Sequence, residues 1–471
     1  MTLWRQTSKN AYLQAPSSQK HYIICGAEFG LENVCKVALI QRALYGGKSG
    51  GRDFRNHLRS CMDFLGFKPC LADPDVWMRP AKKSDGTSYW EYVLLYVDDA
   101  LVCSENAENI LCHEIGRYFT LKEKSIGPPK LYLGGQVRQV ELENSAIAWA
   151  FGSSQYTQEV VKNVETHLGE RGDKLPAQVQ TPMSTDYRPE VDTSPELDSE
   201  NAAYYMSLIG ILRWIVELGR VDILCEVSML SSHMALPREG HLKQLYHIFA
   251  YLKKYHNAEM VFDPTYPEIK ASQFERKDWS TAEFGPKIEE NIPSHMPEPC
   301  GSGFIQRAFV DADHAGDSIT RRSCTGFLIY LNNAPIYWSS KKQGSCEASS
   351  FGSEFMAMKS CVEYLRGLRY NLRMMGIPVE GPSYVFGDNQ SVLVNATIPD
   401  SVLKKKNLSC AYHVVCEGVA ADEWRATYIN THLNPADLLT KPLSNAKRIG
   451  FVKMILHHLF GSVSEPKMDS G

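Results

Sequence analysis

The stretch Phe309-Val310-Asp311-Ala312-Asp313 places a carboxylate directly after an apolar run. Residues Phe304–Val310 are mostly apolar and predict a strand. Folding alone gives no reason for an acid at the end of such a strand, because an ionised carboxylate is costly to bury without a partner. Asp311 is therefore a candidate functional residue. We prefer it to its neighbour Asp313 because it follows the strand directly.

The surrounding sequence predicts a mixed sheet covered by helices. Five strands are predicted, at Phe304–Val310, Gly326–Leu331, Pro335–Ser340, Tyr384–Phe386 and Trp424–Ile429. A long helical pattern runs from Phe351 to Leu372, and further helices are predicted around Leu403–Ala420 and Ala436–Leu439. This order of three strands, helix, strand, helix, strand and helix is typical of an α/β domain.

Three further acids in this region stand at unusual positions. Glu354 lies between Phe351 and Met358, at helical spacing, and so shares the apolar face of its helix. Asp388 follows a strand end, and Asp437 lies in the first turn of a short helix. Each has a structural alternative: Asp388 as a helix N-cap, Asp437 as a partner of the helix dipole, and Glu354 as the partner of an arginine.

Taken together, the four acids favour a carboxylate cluster over four separate structural roles. Oxygen ligands of this kind suit hard divalent cations, and Mg²⁺ is the usual choice beside phosphates. Two such cations about 4 Å apart can activate a water and stabilise the leaving oxygen of a phosphodiester. The sequence therefore predicts metal-assisted phosphodiester chemistry in this region.

The motifs that carry these acids resemble the ribonuclease H domain of copia-type retrotransposon polyproteins, over about residues 301–445. The matching segments are Phe309–Asp317, Trp338–Gln343, Ser353–Phe355, Asp388–Ser391 and Ala436–Lys441. The resemblance implies that Asp311, Glu354, Asp388 and Asp437 are catalytic and bind Mg²⁺ or Mn²⁺. It also implies an RNA–DNA hybrid as the partner. His432 precedes the last acid and is a candidate for product release or proton transfer, although an ordinary surface-loop histidine is the commoner explanation.

A second acidic motif lies in the first part of the chain, at Asp98 and Asp99. The segment Glu91–Val102 is apolar on both sides of this pair, which predicts two strands joined by a tight Asp-Asp turn. A hairpin tip explains two aspartates without any function. The four residues Tyr96-Val97-Asp98-Asp99 also recur by chance, so their meaning depends on the surrounding sequence.

That surrounding sequence resembles the reverse transcriptase domain of the same copia-type elements. The supporting segments are Arg42–Ser49, Gly66-Phe67, Ala72–Trp77 and Leu131–Gly135, while Leu208–Trp214 resembles the connection to ribonuclease H. The resemblance covers about residues 9–443. It implies that Asp98 is a metal ligand with Asp99 beside it, that Mg²⁺ serves DNA synthesis, and that template-primer nucleic acid binds.

The sequence departs from this family at a third polymerase carboxylate. The family's first catalytic Asp falls four residues before Ala11 of Asn10-Ala11-Tyr12-Leu13, and this position holds Thr7. Gly47 also replaces a larger apolar residue. The chain begins only six residues before Thr7, so we expect the fingers region of the polymerase to be missing, along with capsid, protease and integrase segments.

Three hypotheses follow from these motifs. In the first, the chain is a ribonuclease H with an impaired polymerase portion, so RNA cleavage is better preserved than DNA synthesis. In the second, it is a non-catalytic relic that at most binds nucleic acid. In the third, polymerase activity survives because the missing carboxylate comes from a longer chain or from another chain.

Local charge supports a nucleic-acid partner although the net charge is −4. Residues 1–60 hold nine Lys or Arg against three acids, and such an excess can face phosphates. We assign Arg42, Lys48, Lys341 and Lys342 as candidate nucleic-acid contacts. A solvated helix face explains the same charge, as it also explains the run at residues 404–406.

The multidomain architecture predicted for the 471 residues combines α/β and α+β parts. The predicted boundaries are a partial reverse transcriptase palm and thumb at 1–180, a helical connection at 201–262, a Pro-rich linker at 263–300, a ribonuclease H-like mixed five-stranded sheet with flanking helices at 301–445, and a tail at 446–471. A helix is expected near Phe451–Phe460. Arg213 and Arg220 are predicted to lie on the solvated side of a packing helix.

Composition bounds the remaining function classes. The chain is 44% hydrophobic and 22% charged, which excludes a disordered, collagen-like or coiled-coil protein. No apolar run approaches the ~18 residues needed to cross a bilayer, so no membrane partner is expected. Thirteen cysteines without a Cys-x-x-Cys pair favour a reducing, intracellular setting, with cytoplasm or nucleus and the oligomeric state left open.

Overall fold

The computed structural model describes residues 2–280, 290, 292–379, 381–401, 403 and 406–457. The chain divides into two compact units. The first contains Met1–Pro129, Pro293–Gly303 and Arg369–Val379, and the second contains Lys130–Ile292, Phe304–Leu368 and Glu380–Gly471. The domain boundaries drawn from the sequence stay a prediction.

The first unit is built on a five-stranded antiparallel sheet and a separate two-stranded ribbon. Its strands are β1 (Thr2–Thr7), β2 (Pro16–Ile24), β3 (Val37–Arg42), β4 (Lys68–Pro69), β5 (Val76–Lys82), β6 (Ser88–Tyr96) and β7 (Asp99–Ser104). The order in the large sheet is β1-β7-β6-β5-β4, and β2 pairs with β3 in the ribbon. This arrangement places the start of the chain directly beside the strand that follows the Asp98-Asp99 motif.

Helix α2 supplies the main cover of this sheet. The unit contains α1 (Ala11–Gln14), α2 (Gly50–Phe64) and α3 (Ala107–Asn109), the last followed by a π-helical turn at Ile110–Glu114. Phe54 and Met62 of α2 are buried in the same cluster as Trp77 and Val93 of the sheet. Gly66 then ends the helix in a left-handed conformation (φ 82°) that a residue without a side chain adopts at low cost.

The second unit begins with a small antiparallel sheet and a helical block. Its first strands, in the spatial order β11-β10-β9-β8, are β8 (Leu131–Tyr132), β9 (Gly135–Glu141), β10 (Ile147–Gly152) and β11 (Glu259–Phe262). The helices are α4 (Ser154–Glu170), α5 (Ser199–Glu217), α6 (Leu224–Ser231) and α7 (Glu239–Lys254). Leu208, Leu212 and Leu245 are among the buried residues of their shared core, which confirms the helical spacing predicted for this block.

The predicted mixed five-stranded sheet is confirmed in the second unit. Its strands are β12 (Gln306–Asp313), β13 (Cys324–Leu331), β14 (Ala334–Lys342), β15 (Ser383–Gly387) and β16 (Trp424–Tyr428), in the order β14-β13-β12-β15-β16. The pairs β14-β13 and β13-β12 are antiparallel, whereas β12-β15 and β15-β16 are parallel. Because β12 and β15 run in parallel, their carboxyl ends meet at the same edge of the sheet.

Two helices lie between the fourth and fifth strands of this sheet, where the sequence predicted one, and the helix ends are shifted. The helices near this sheet are α8 (Ser350–Met374), α9 (Gln390–Thr397), α10 (Ser409–Ala420) and α11 (Asn445–Ile455). The helix predicted from Leu403 begins only at Ser409, after a 3₁₀ turn at Lys406–Leu408, and residues 402, 404 and 405 lie outside the described part. The tail helix starts earlier than predicted, and residues 458–460 of that prediction also lie outside the described residues. Within the described ranges, no helix is both long and apolar enough to cross a bilayer.

The prediction that Arg220 faces solvent is wrong. Its side chain is 1% exposed and forms two hydrogen bonds with the equally buried Asp222, at 2.8 and 2.9 Å. Tyr251 donates a further hydrogen bond to Asp222 at 3.0 Å. Arg220 lies after the end of α5, so its helical spacing did not determine its environment. Arg213, which lies within α5, is exposed as predicted.

Candidate active site

Three of the predicted acids converge at the carboxyl edge of the mixed sheet. Asp311 lies near the end of β12, and Asp388 directly follows β15, its parallel neighbour. Glu354 in the first turns of α8 reaches the same place. Their carboxylates contribute oxygens that all lie within 4.8 Å of one another. Asp311, Glu354 and Asp388 are called the triad below.

Asp311 is the most buried member of the triad. Its side chain is 3% exposed, and Thr440 Oγ1 donates a hydrogen bond of 2.6 Å to its Oδ2. Burial raises the pKa of this carboxyl, and the nearby Asp437 and Asp388 raise it further, although Lys441 and the Thr440 hydrogen bond act in the opposite direction. Asp311 is therefore held in a fixed orientation in surroundings that disfavour its charge.

The pKa of Glu354 is raised more strongly than that of Asp311. Burial raises the pKa of the Glu354 carboxyl to about 9, with further contributions from the charges of Asp311 and Asp388. The charge of Lys441 and, more weakly, a hydrogen bond with the Ala312 backbone oppose this shift only in part. The alternative that Glu354 pairs with an arginine has no such ion pair to support it among the described residues. The triad is thus a site where negative charge is concentrated and poorly compensated.

Asp388 is not the helix N-cap that its position allowed. The neighbouring Asn389 takes this role, and its side-chain oxygen accepts a hydrogen bond of 3.2 Å from the Val392 N–H. The preference of asparagine for N-cap positions explains why the cap can be one residue later. The Asp388 carboxylate therefore stays available to the triad.

Asp437 lies outside the triad's group of converging oxygens. It is fully buried in the short 3₁₀ helix Pro435–Leu439, where its carboxylate forms ion pairs with Lys441, at 2.6 Å, and with Lys447. Its position in the first turn agrees with the alternative that Asp437 is a partner of the helix dipole. The structure therefore brings three of the four predicted acids together and gives the fourth two lysine partners.

The triad fits a divalent cation. Hard cations such as Mg²⁺ and Mn²⁺ bind carboxylate oxygens, and a cation removes the like-charge repulsion that raises the Glu354 pKa. No bound group is needed to see this fit, because the donor set consists only of carboxylates. The Asp98-Asp99 hairpin, described below, does not fit a divalent cation in this way.

We expect metal affinity at the triad to rise with pH. Below a pKa of about 9 the metal-free Glu354 carries a proton that a metal must displace, so Mg²⁺ or Mn²⁺ affinity should increase by roughly tenfold per unit between pH 6.5 and 8.5. Calorimetric titration of Mn²⁺ in buffers with different ionisation heats measures the protons released. An affinity that does not change with pH, or binding without proton release, contradicts this prediction.

Gly326 is a structural requirement of the site. It pairs with Asp311 across β12 and β13, and an added Cβ would lie 2.7 Å from Thr440 Cγ2 and 2.9 Å from Leu439 Cβ. Glycine thus allows the segment that carries Thr440 to approach the strand closely. This requirement follows from backbone packing rather than from a left-handed conformation.

Replacing Gly326 with alanine should therefore displace Thr440 from Asp311. We expect a loss of about 1–3 kcal/mol in the free energy of unfolding, as for other overpacked sites, and weaker metal binding. Thermal unfolding with and without Mn²⁺ tests both effects. Gly344→Ala is the matched control, because no heavy atom lies within 4 Å of the Cβ it adds. Equal behaviour of the two variants would show that the close approach does not matter.

The hairpin at Asp98 and Asp99 differs from the predicted Asp-Asp turn. Strand β6 ends at Tyr96 and β7 begins at Asp99, which pairs with Tyr96, so the turn consists of Val97 and Asp98. Val97 has a φ of 54°, an unusual conformation for a β-branched residue. The pairing of β1 with β7 explains the shift, because Thr7 lies opposite Asp99 and holds it in the strand.

The Asp99 carboxylate already has a cationic partner. Arg5 Nη2 donates to its two oxygens at 3.0 and 3.1 Å, and Thr7 Oγ1 donates to Oδ1 at 2.5 Å. Thr7, the position assigned to a third polymerase acid, is thus adjacent to the motif but donates a hydrogen bond instead of offering a carboxylate. These residues do not fit the divalent cation that the polymerase resemblance implies, since one carboxylate is already occupied.

The predicted nucleic-acid contacts occupy different environments. Arg42, Lys48 and Lys341 are exposed, and Arg42 donates to the Gln14 carbonyl at 2.9 Å. Lys342 is exposed as well, but it forms an ion pair of 2.5 Å with Asp317. His432 is exposed in the 3₁₀ turn Thr431–Leu433. Exposed side chains are accessible to phosphates, whereas Lys342 must first leave its partner.

Sequence reasoning missed four residues that shape these sites. Thr440 and Lys441 lie in the Ala436–Lys441 motif, and their position three and four residues after Asp437 is a signal that could have identified them. Lys447 and Arg5 had no comparable signal. Lys447 is ten residues from Asp437, and Arg5 reaches Asp99 only because β1 pairs with β7.

Comparison with known proteins reveals relatives over most of the chain. The retrovirus-related Pol polyprotein from transposon RE2 of Arabidopsis thaliana is 24% identical over 456 residues, which is 94% of this chain and 27% of that polyprotein. Its counterpart from transposon TNT 1-94 of Nicotiana tabacum is 23% identical over 420 residues, 88% of this chain and 27% of the other. Homologues that match about 90% of this chain are transposon Pol polyproteins.

This relationship confirms the predicted resemblance to retrotransposon Pol polyproteins. The chain spans about a quarter of the length of the curated relatives it matches. No protein-family model matches it. Among solved structures, the foamy viral protease-reverse transcriptase in complex with RNA/DNA hybrid aligns over 94% of this chain and 67% of its own, with 10% identity and a TM-score of 0.28.

Proposed function

We propose that this chain cleaves the RNA strand of RNA–DNA hybrids as the ribonuclease H portion of a copia-type retrotransposon Pol polyprotein. The observation that carries the proposal is the convergence of Asp311, Glu354 and Asp388 at the carboxyl edge of the mixed sheet. Homology to transposon Pol polyproteins supports the class of substrate. Mg²⁺ or Mn²⁺ at the triad is part of the proposal.

The residues of the chain have distinct tasks in this reaction. Asp311, Glu354 and Asp388 hold the cation, which when bound supplies an activated water and stabilises the leaving oxygen of a phosphodiester. Thr440 orients Asp311 through its hydrogen bond. Asp437 positions Lys441, whose positive charge acts on Asp311 and Glu354 of the triad. This arrangement balances part of the negative charge that a phosphate brings.

Recognition of the hybrid needs contacts outside the triad. The enzyme must detect 2′-hydroxyls on one strand and their absence on the other. We assign Arg42, Lys48 and Lys341 to the phosphates, because they are exposed cations. Lys342 can join them only by giving up its ion pair with Asp317.

DNA synthesis is not proposed for the 471-residue chain. Thr7 stands at the third acid position, and Asp99 is bound by Arg5. RNA-directed DNA polymerisation with template-primer nucleic acid is the activity that we assign to the longer family proteins. A divalent cation at the triad therefore serves RNA removal rather than synthesis.

A cleavage assay tests the proposal. The full chain is incubated with Mg²⁺ and an end-labelled RNA–DNA hybrid, with duplex RNA and duplex DNA as competing substrates. We expect cuts only in the RNA of the hybrid, and a fall to background in Asp388→Asn. Asp400→Asn is the matched control, because it makes the same change at an exposed acid of the same unit. Equal cleavage by wild type and Asp388→Asn would refute the proposal.

The main alternative, a relic that binds nucleic acid without cutting it, gives a different result. Hybrid binding that weakens steeply with salt, with no cleavage in Mg²⁺ or Mn²⁺, is the outcome expected of a non-catalytic protein. Primer extension by the isolated chain would instead show that the role assigned to Thr7 is wrong. Together, the cleavage, binding and primer-extension measurements distinguish the three hypotheses.

A further inference from the structure

The interaction of Arg5 with Asp99 is part of the first unit's sheet and does not depend on the triad. Arg5 and Thr7 are two residues apart on β1, so their side chains lie on the same face of the strand. Both donate to the Asp99 carboxylate. Arg5 and Asp99 are 22% and 16% exposed, which makes this a partly buried ion pair.

The backbone holds Arg5 firmly in this position. Strand β1 pairs with β7 along its whole length, from Thr2 opposite Ser104 to Thr7 opposite Asp99. On the other side, Arg5 exchanges backbone hydrogen bonds with Gly127 at 2.8 and 3.2 Å. The Thr7 N–H is bound by Ser125 Oγ at 2.9 Å. The guanidinium is therefore presented to Asp99 by a strand that is fixed at both edges.

We propose that Arg5 is the resident cation of this hairpin and that, with Thr7, it closes the site to divalent metal. Two carboxylates remain from the polymerase-like motif, Asp98 and Asp99. The guanidinium engages both oxygens of Asp99, and the Thr7 hydroxyl donates its proton to the same group. Asp98 alone offers a single carboxylate, so Mg²⁺ or Mn²⁺ there would depend on water or phosphate oxygens for the rest of its ligands.

The charges at the site support this inference. A divalent cation that used Asp99 would have to lie beside a guanidinium that is permanently charged and cannot release a proton. Repulsion between the two cations therefore opposes metal entry at any pH at which the chain is folded. Thr7 also disfavours metal binding, because a threonine at the position of the third polymerase acid supplies no negative charge. Arg5 therefore neutralises the charge of Asp99, and this carboxylate is not available to a metal ion.

Localised oxidative cutting of the chain tests the inference directly. Bound Fe²⁺ reduces added hydrogen peroxide to hydroxyl radical and hydroxide, ascorbate returns the Fe³⁺ to Fe²⁺, and the cut positions show where the metal lies. In wild type we expect no cuts near residues 96–100. In Arg5→Gln/Thr7→Asp, which removes the resident cation and adds a carboxylate, we expect cuts in that segment that excess Mn²⁺ suppresses. Arg59→Gln, which removes an exposed guanidinium of α2, is the control and should match wild type.

Two results would overturn the inference. The first is cutting of wild type at residues 96–100 that disappears in Asp98→Asn, since the hairpin then binds metal as it stands. This result needs no variant at Arg5 to fold. The second is an uncut hairpin in the double variant when its circular dichroism and Tm match wild type. Hybrid cleavage is not measured here, so failure of the proposed ribonuclease activity leaves this test unaffected.

Discussion

Glu354→Gln is expected to abolish hybrid cleavage and, at the same time, to stabilise the metal-free chain. The substitution keeps the size of the side chain but removes one of three carboxylates that converge on a cation. Loss of a metal ligand should reduce metal affinity and cleavage by at least about 100-fold, more than is typical of a residue that only supports a ligand. A purely structural role for Glu354 predicts no such loss.

The gain in stability follows from the raised pKa of Glu354. In the unfolded chain its carboxyl ionises near 4.5, whereas burial and the charges of Asp311 and Asp388 raise the folded value to about 9. The folded state thus binds the extra proton, and stability without metal falls as pH rises from about 4.5 to 9. Glutamine removes this cost, which amounts to about 3–4 kcal/mol at pH 7.

Two measurements on Glu354→Gln and wild type test whether the substitution raises stability while it abolishes activity. Thermal unfolding at pH 7 without divalent metal should give a higher Tm for Glu354→Gln than for wild type, and the difference should shrink towards pH 5. Cleavage in Mg²⁺ should be lost. Glu363→Gln is the matched control, since it makes the same change at an exposed position of α8. A variant that remains active, or one less stable than wild type, contradicts the electrostatic account.

Asp222→Ala is expected to cause the largest loss of stability. It leaves the Arg220 guanidinium, 1% exposed, without the carboxylate that binds it through two hydrogen bonds. An uncompensated buried charge of this kind costs about 3–5 kcal/mol. Tyr251 also loses its hydrogen-bond acceptor. Unfolding in urea, followed by circular dichroism, should show a much lower transition midpoint.

A double variant distinguishes the destabilisation caused by an unpaired buried charge from that caused by lost packing. Arg220→Met/Asp222→Leu removes both charges and keeps apolar volume, so it should recover much of the stability lost in Asp222→Ala. Arg213→Met, at an exposed position in the same helical block, controls for the arginine substitution and should change little. If the double variant is as unstable as Asp222→Ala, the ion pair itself is not the cause.

Most of the mixed sheet could be predicted from sequence because its strands are short apolar runs between polar turns. All five strands occur at the predicted places, with ends shifted by at most three residues. The order β14-β13-β12-β15-β16 was not predicted, because local periodicity does not show which strands pair. The start of α10 was misplaced for a related reason: apolar spacing continues through a 3₁₀ turn.

The candidate site was predictable in its residue types but not in its geometry. Motif order alone indicated four acids, yet only Asp311, Glu354 and Asp388 share one group of oxygens. Lysines at 441 and 447 hold Asp437, and the second of these is too distant in sequence to be associated with it. The pairing of charges in three dimensions therefore decided which acids are free to bind a cation.

The sequence by itself determined the classes of element, the acids and the resemblance to retrotransposon Pol polyproteins, because these depend on local apolar spacing and on motifs that need no distant partner. Tertiary structure alone decided the partners of the charged groups: Arg220 with Asp222, Asp437 with two lysines, and Arg5 with Asp99. The physical reason is that the energy of a charge depends on its burial and on neighbours within a few ångströms. Folding brings those neighbours together from distant parts of the sequence.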